Sequence, residues 1–288
     1  MNYIVYYLFI LPIAYLPYFF LYRVSTILCF VLKRIVGYRK KTVIKNLKNS
    51  FPKKSYVEIE IILNDFYRHL TDLFIESFKG FVISRKSILK RLVVVNQEVL
   101  SKYENQNIIL IGAHYNNWEI CGQCLPLYFN HHLLAIYKPL KNKFFNHKMK
   151  QSREKFGLEM IPMNKTKEYF NDQSNNPKGI IFGSDQSPSN PDKAYWMNFL
   201  NQETGVLFGA EKYAKEFNWP VVYVRINKVK RGYYKVEYEV ITDQPQYCKH
   251  GEITEKFMYL VENDIKLKPQ YWLWTHNRWK HQRPIENI

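Results

Sequence analysis

A single α/β domain, with a central mixed sheet flanked by helices and a hydrophobic helix ahead of it, is the fold this 288-residue sequence predicts. Three observations predict it. Short apolar, β-branched runs end at glycine and pass into polar residues, at Ile108-Ile-Leu-Ile-Gly112 and again at Ile180-Ile-Phe-Gly183. Runs too short for a core helix and stopped by a breaker read as buried strands. Amphipathic helical stretches are interspersed with them, the arrangement of helices on a sheet. Residues 2–22 carry no charge at all.

That uncharged run is long enough to cross or enter a bilayer, and apolar character resumes after Arg23 through Leu32. It lacks the positive charge before it and the small-residue site after it that a cleaved signal peptide needs. Pro12 and Pro17 would kink a spanning helix, which leaves a re-entrant anchor as the alternative. Residues 1–38 are therefore expected to form a membrane anchor with a basic juxtamembrane segment, and 39–288 the catalytic or binding domain. Ten basic residues lie between Arg23 and Lys54, and the first acid is Glu58. Basic flanks mark the cytoplasmic side and attract anionic lipid by about 1 kcal/mol per residue at the surface. Arg39, Lys40 and Lys41 are expected to face that membrane.

Ser55-Tyr-Val-Glu58 reads as a capping box. The helix behind it puts Ile59, Ile62, Leu63, Phe66, Leu70, Leu73 and Phe74 on one stripe, a core face with no chemistry assigned. Residues 92–95, 108–111, 133–137 and 180–182 read as strands. Residues 141–156 read as a basic helix containing Arg153, and 203–217 as a helix stopped before Pro220. Residues 221–226 and 233–241 form a hairpin around 228–232. A last helix near 252–266 precedes the aromatic tail Pro269-Gln-Tyr-Trp-Leu-Trp-Thr-His276-Asn-Arg278-Trp-Lys280.

The composition narrows the class. Apolar residues make up 47%, enough for a real core, and the formal charge is +17, which predicts an acidic partner. The charge concentrates beside an apolar segment and no nucleic-acid module is visible, so no nucleic-acid partner is expected. Of four cysteines only Cys121 and Cys124 are close, and no further ligands stand at metal spacing, so neither a metal nor a redox pair is expected. No dinucleotide or phosphate glycine loop is present, and Gly183-Ser-Asp-Gln-Ser lacks the second glycine of a nucleophile elbow.

Chemistry is expected where the strand at 108–111 ends. His114 sits at a strand's carboxyl end, where open α/β sheets place their sites. Glu119, on the first turn of a helix opening at Asn117, can fold back to the imidazole, fix its tautomer and leave the other nitrogen as a base. Such a dyad has no protein nucleophile and suits a substrate hydroxyl. The rival from another class is a non-catalytic, membrane-anchored lipid-binding protein.

Five ordered blocks resemble the late acyltransferases of lipid A biosynthesis, a branch of the lysophospholipid acyltransferase superfamily. They are Arg39 to Pro52 with Asn46-Leu47 and Phe51-Pro52; Gly112 to Glu119, like the family's His-x4-Asp/Glu motif; Tyr137-Lys-Pro139 with Asn142 and Arg153; Asp185-Gln186; and the tail Trp272 to Lys280. Lys138 and Asn277 stand where arginine is usual, and Tyr115-Asn116 where Phe-Gly is usual. The resemblance covers almost the whole chain. It implies transfer of a fatty acyl group from acyl carrier protein or acyl-CoA to a hydroxyl of a membrane glycolipid, a lipid A precursor, at the cytoplasmic face of the inner membrane. No metal or organic cofactor is implied. His114 would be the general base and Glu119 its orienting group. Arg153 would meet a lipid phosphate or the oxyanion, and Asp185 would fix Arg153 or the motif loop. Asn117, Tyr137, Lys138, Asn142, Gln186 and Arg278 would bind substrate. Another polar lipid is the alternative acceptor.

Overall fold

The computed structural model describes residues 2–172 and 176–284; the end of the expected domain at 288 lies outside them. The amino-terminal segment departs from expectation. Residues 2–15 are helical, the chain breaks, and α1 (Tyr18–Phe30) begins anew. The break has a local cause. Leu16, preceding Pro17, is extended at φ −56° and ψ 143°, because the proline ring disfavours helical geometry in the residue before it. The 13 residues of α1 and the 5 of the π-helix Val31–Ile35 that continues it rise about 27 Å, short of the roughly 30 Å hydrocarbon core, and they include Arg23, Lys33 and Arg34. No helix among the described residues is long and apolar enough to cross a membrane. The expected anchor helix is thus replaced by a broken pair lying on the domain.

Helix α2 (Lys40–Ser50) begins after Arg39, which is left-handed at φ 50°. Helix α3 (Tyr56–Gly80) carries the expected capping box at Ser55 and Glu58. The sheet contains β1 (Leu92–Val94), β2 (Ile108–Gly112), β3 (His132–Tyr137), β4 (Glu159–Pro162), β5 (Lys178–Gly183), β8 (Val221–Lys230) and β9 (Tyr233–Thr242). Between β5 and β8 a separate antiparallel hairpin pairs β6 (Ala194–Phe199) with β7 (Gln202–Leu207). The order across the sheet is β1-β9-β8-β2-β5-β3-β4. All neighbours are parallel except β8 and β9, so the mixed α/β sheet is as expected. Further helices are α4 (Trp118–Cys124), α5 (Lys143–Arg153), α6 (Gly209–Phe217) and α7 (Glu252–Leu267), with shorter ones at Arg85–Arg91 and Thr166–Asn171.

Strand side chains alternate between two cores. Ile109, Ile111, Leu134 and Ile180 pack with the α3 stripe and α7. Ile108, Leu110, Leu133 and Val222 pack with Ile120, Cys121 and Cys124 of α4 on the other face. The central strands are buried on both faces, which is why they read as continuous apolar runs. One helix was read too long: 203–207 is strand, not helix. Thr204 and Val206 favour a strand, and Gly205 lies so close to Ala194 that a Cβ there would stand 2.8 Å away.

The parallel register places the site. Gly112 of β2 lies opposite Gly183 of β5, so the residues following each strand leave the sheet side by side.

Candidate active site

His114 follows β2 and Asp185 follows β5, and the register brings them together. Their Nδ1 and Oδ1 atoms are 2.7 Å apart. Gly183 makes room for the ring, since a Cβ there would stand 3.2 Å from His114 Cε1. Asp185 is 1% exposed, and its other oxygen accepts from Trp272 Nε1 at 2.8 Å. An ionised carboxylate only accepts, so Nδ1 carries the proton and Nε2 is the basic atom. Burial pushes the His114 pKa down, but the charge and hydrogen bond of Asp185 outweigh it and leave the value raised. Burial likewise works against Asp185, and His114 holds its pKa below the usual carboxylate range.

The loop is gripped from both sides. Asn116 is left-handed at φ 55°, a conformation asparagine tolerates and glycine adopts freely. Its Nδ2 donates to Ile226 O at 2.8 Å and its N–H to Tyr271 O at 2.9 Å. The tail runs antiparallel to the loop through Tyr115 and Trp272, and Leu273 N–H donates to His114 O at 3.2 Å. The first block holds the tail in turn: Asn46 Nδ2 donates to the carbonyls of Trp274 and His276, both at 3.0 Å.

The expected partner of His114 is engaged elsewhere. Glu119 accepts two parallel bonds from Arg153, at 2.9 Å from Nε and 2.6 Å from Nη2. The fork geometry of guanidinium and carboxylate favours that pairing over a single bond to a neutral imidazole. The two carboxylates thus exchange the roles the sequence suggests: Asp185 orients His114, and Glu119 holds Arg153.

His114, Glu119 and Arg153 line one cavity of about 1180 Å³, together with Tyr137, Lys138 and Gln186. That exceeds the roughly 300–1,000 Å³ of ordinary small-molecule sites. One part is apolar, walled by Leu125, Leu158, Met160 and Ile181. Three expected substrate-binding residues lie off the wall. Asn117 is fully buried and caps α4, accepting from Ile120 N–H at 3.0 Å. Asn142 caps α5, accepting from Phe145 N–H at 3.2 Å. Arg278 is buried against the hairpin, donating to Thr204 Oγ1 and Gly205 O at 2.7 Å each, and burial lowers its pKa to about 10. Arg39, expected at the membrane, also donates to Thr275 O at 3.0 Å. Cys121 and Cys124 are buried free thiols, raised by burial.

Three site residues were not read from the sequence. Trp272 fixes Asp185, and the Trp118 ring meets His114 edge-on at 5.0 Å between centroids. His276 lines the cavity and accepts from Ser187 N–H at 3.0 Å; burial lowers its pKa to about 4, so it stays a neutral acceptor. The dense aromatic tail was the available signal for Trp272 and His276.

Residues 2–281 match the family model described as bacterial lipid A biosynthesis acyltransferase. The chain belongs to that family. No curated protein matches it. In this lipid A biosynthesis acyltransferase the His-x4-Glu stretch has Glu119 turned to Arg153, and Asp185, 71 residues on, is bonded to the histidine.

Proposed function

We propose that this acyltransferase moves a fatty acyl group from a thioester, acyl carrier protein or acyl-CoA, to a hydroxyl of a lipid A precursor at the cytoplasmic face of the inner membrane. The observation that carries the reading is an imidazole with one nitrogen bonded to a buried carboxylate, on the wall of a large, partly apolar cavity. Among the described residues no side-chain hydroxyl or thiol bonds to Nε2 of His114, which suits a nucleophile brought by the substrate. His114 Nε2 takes the proton of the acceptor hydroxyl as its oxygen attacks the thioester carbonyl. The tetrahedral intermediate collapses, the C–S bond breaks, and the imidazolium returns its proton to the departing thiolate. Asp185 stabilises the imidazolium between those steps. Arg153, held by Glu119, is the guanidinium at hand for the oxyanion or a lipid phosphate.

Two surfaces support the partners and the location. Lys138, Lys193, Lys212 and Lys280 are exposed around the cavity, and an acidic carrier protein or a phosphate-bearing substrate is drawn to such a rim. Among the described residues, more than half of the exposed large apolar side chains lie in the first 38. The broken helices carry them as an in-plane face of the kind that enters a bilayer interface without crossing it. Tyr3 and Tyr6 of that segment pack on Phe144 of α5, beside the cavity, so a lipid in that interface is near the site.

The test is release of free thiol from acyl carrier protein or CoA with a lipid A precursor in mixed micelles, and mass spectrometry of the lipid. A lipid heavier by one acyl group is expected with wild type, and none with folded His114→Ala. Turnover unchanged by His114→Ala overturns the mechanism; an acylated product from another polar lipid alone overturns the acceptor.

A further inference from the structure

Helix α3 carries a polar face that its apolar stripe conceals. Asp72, Glu76 and Lys79 are spaced four and three residues apart and so share one side of the helix. All three bind the amino-terminal segment. Asp72 Oδ1 accepts from Ser25 Oγ at 2.7 Å, and Lys79 Nζ donates to Ala14 O and Leu16 O at 2.9 and 3.0 Å, satisfying carbonyls freed at the Pro17 break. Glu76 lies between them and is 0% exposed. One of its oxygens accepts from Tyr22 Oη of α1 at 2.8 Å. The other accepts from Asn117 Nδ2 at 2.6 Å and Tyr234 Oη at 2.8 Å.

Asn117 is the residue on which the catalytic loop turns into α4. It stands three residues after His114, and its Oδ1 caps the helix. A buried carboxylate that takes no part in the chemistry therefore binds the interfacial segment and the catalytic loop at once. The fit to Tyr22 is close: a Cβ at Gly232, in the β8–β9 turn, would lie on the Tyr22 hydroxyl.

We propose that Glu76 is a positioning residue, through which the seating of the amino-terminal segment sets the orientation of the loop that carries His114. The inference rests on the acyl-transfer reading for its kinetic consequence but not for its structural one. Losing the acceptor leaves Asn117 and two tyrosine hydroxyls without their partner in a dry site. The loop then relaxes and His114 draws away from Asp185. The charged or titratable groups around His114 are Asp185, Glu119, Arg153 and His276. Of these Asp185 is the one whose bond raises the imidazole pKa most, so its loss moves the titration to lower pH.

The experiment uses the full chain in mixed micelles with 13C-labelled histidine, the His114 signal being assigned with His114→Ala. Glu76→Leu keeps the volume and removes the acceptor. It is expected to fold, to titrate His114 at lower pH than wild type, and to lose about 10- to 100-fold in kcat with the donor KM unchanged. Glu76→Gln is expected to restore the wild-type titration and most of kcat. Its oxygen can serve Asn117 and Tyr234 while its amide donates to Tyr22. Tyr22→Phe, which cuts the link on the segment side alone, is expected to move both readings the same way by less. A merely structural residue lowers thermal stability and leaves the titration in place. Wild-type titration and kcat in folded Glu76→Leu, or a wild-type titration in Tyr22→Phe, overturns the proposal. If Glu76→Leu does not fold, Tyr22→Phe decides it by the same readings. If wild type shows no acyl transfer, the enzymatic reading fails, and the His114 titration, which needs no substrate, still decides this one.

Discussion

At His114 the structure separates two carboxylates that the motif alone merges. Asp185→Asn keeps the shape but reverses the hydrogen bond, favouring the tautomer with its proton on the wrong nitrogen. The rate is expected to fall about 100- to 10,000-fold, the range of general-base catalysis. The pH profile supplies an independent sign. The base acts when neutral, so activity falls on the acid side as pH drops through the His114 pKa. Asp185 raises that pKa; its neutral replacement is expected to move the acid limb to lower pH, measured as kcat across the profile. Glu119 acts through Arg153 instead. Glu119→Gln and Arg153→Gln are expected each to lower kcat/KM, the double variant to be little worse than either single one, and the acid limb to stay close to the wild-type position. His114 was legible because a strand, a glycine and a histidine in succession place a base at a sheet edge. Its partner was not. Sequence proximity favoured Glu119, and only the β2–β5 register reveals that Asp185 is the neighbour.

At the scale of elements, the central strands were legible from their doubly buried runs, and α3 from its stripe and capping box. Edge strand β4 was missed because four residues are too few to show a period, and β6 because its mostly half-buried residues of mixed polarity lack a clean one. The anchor was misread because the length of the uncharged run was given more weight than the break that Pro17 imposes at Leu16. The paired glycines at the ends of β2 and β5 offer a test of how closely the sheet edge fits the ring. Gly183→Ala places a methyl 3.2 Å from His114 Cε1, tighter than ordinary contact, and the imidazole must tilt. Since Gly183 has no positive φ, the backbone is unstrained by the change. Gly183→Ala is expected to lower kcat at least about tenfold while the melting temperature changes little, measured by thiol release and by differential scanning calorimetry.

For the whole molecule, the broken apolar segment and the basic α2 form one continuous stretch of chain, and both are proposed to meet the bilayer. Lys40→Gln with Lys41→Gln is expected to weaken co-sedimentation with anionic vesicles, most at low ionic strength, and to leave binding to neutral vesicles unchanged. Arg39 is left out of this test because it also holds the tail through Thr275 O. His114 and Asp185 are 71 residues apart, and the chain between β2 and β5 carries α4, β3, α5 and β4, a long loop to close when the two strands pair. Closing a parallel pair over such a loop is slow compared with helix formation. After dilution from denaturant, the helical circular dichroism signal is therefore expected to recover first. Catalytic competence, sampled as thiol release at successive delays, should lag behind it, because the base has no partner until the two strands have zipped. Recovery of both signals with one time constant would show instead that the sheet closes as the helices form.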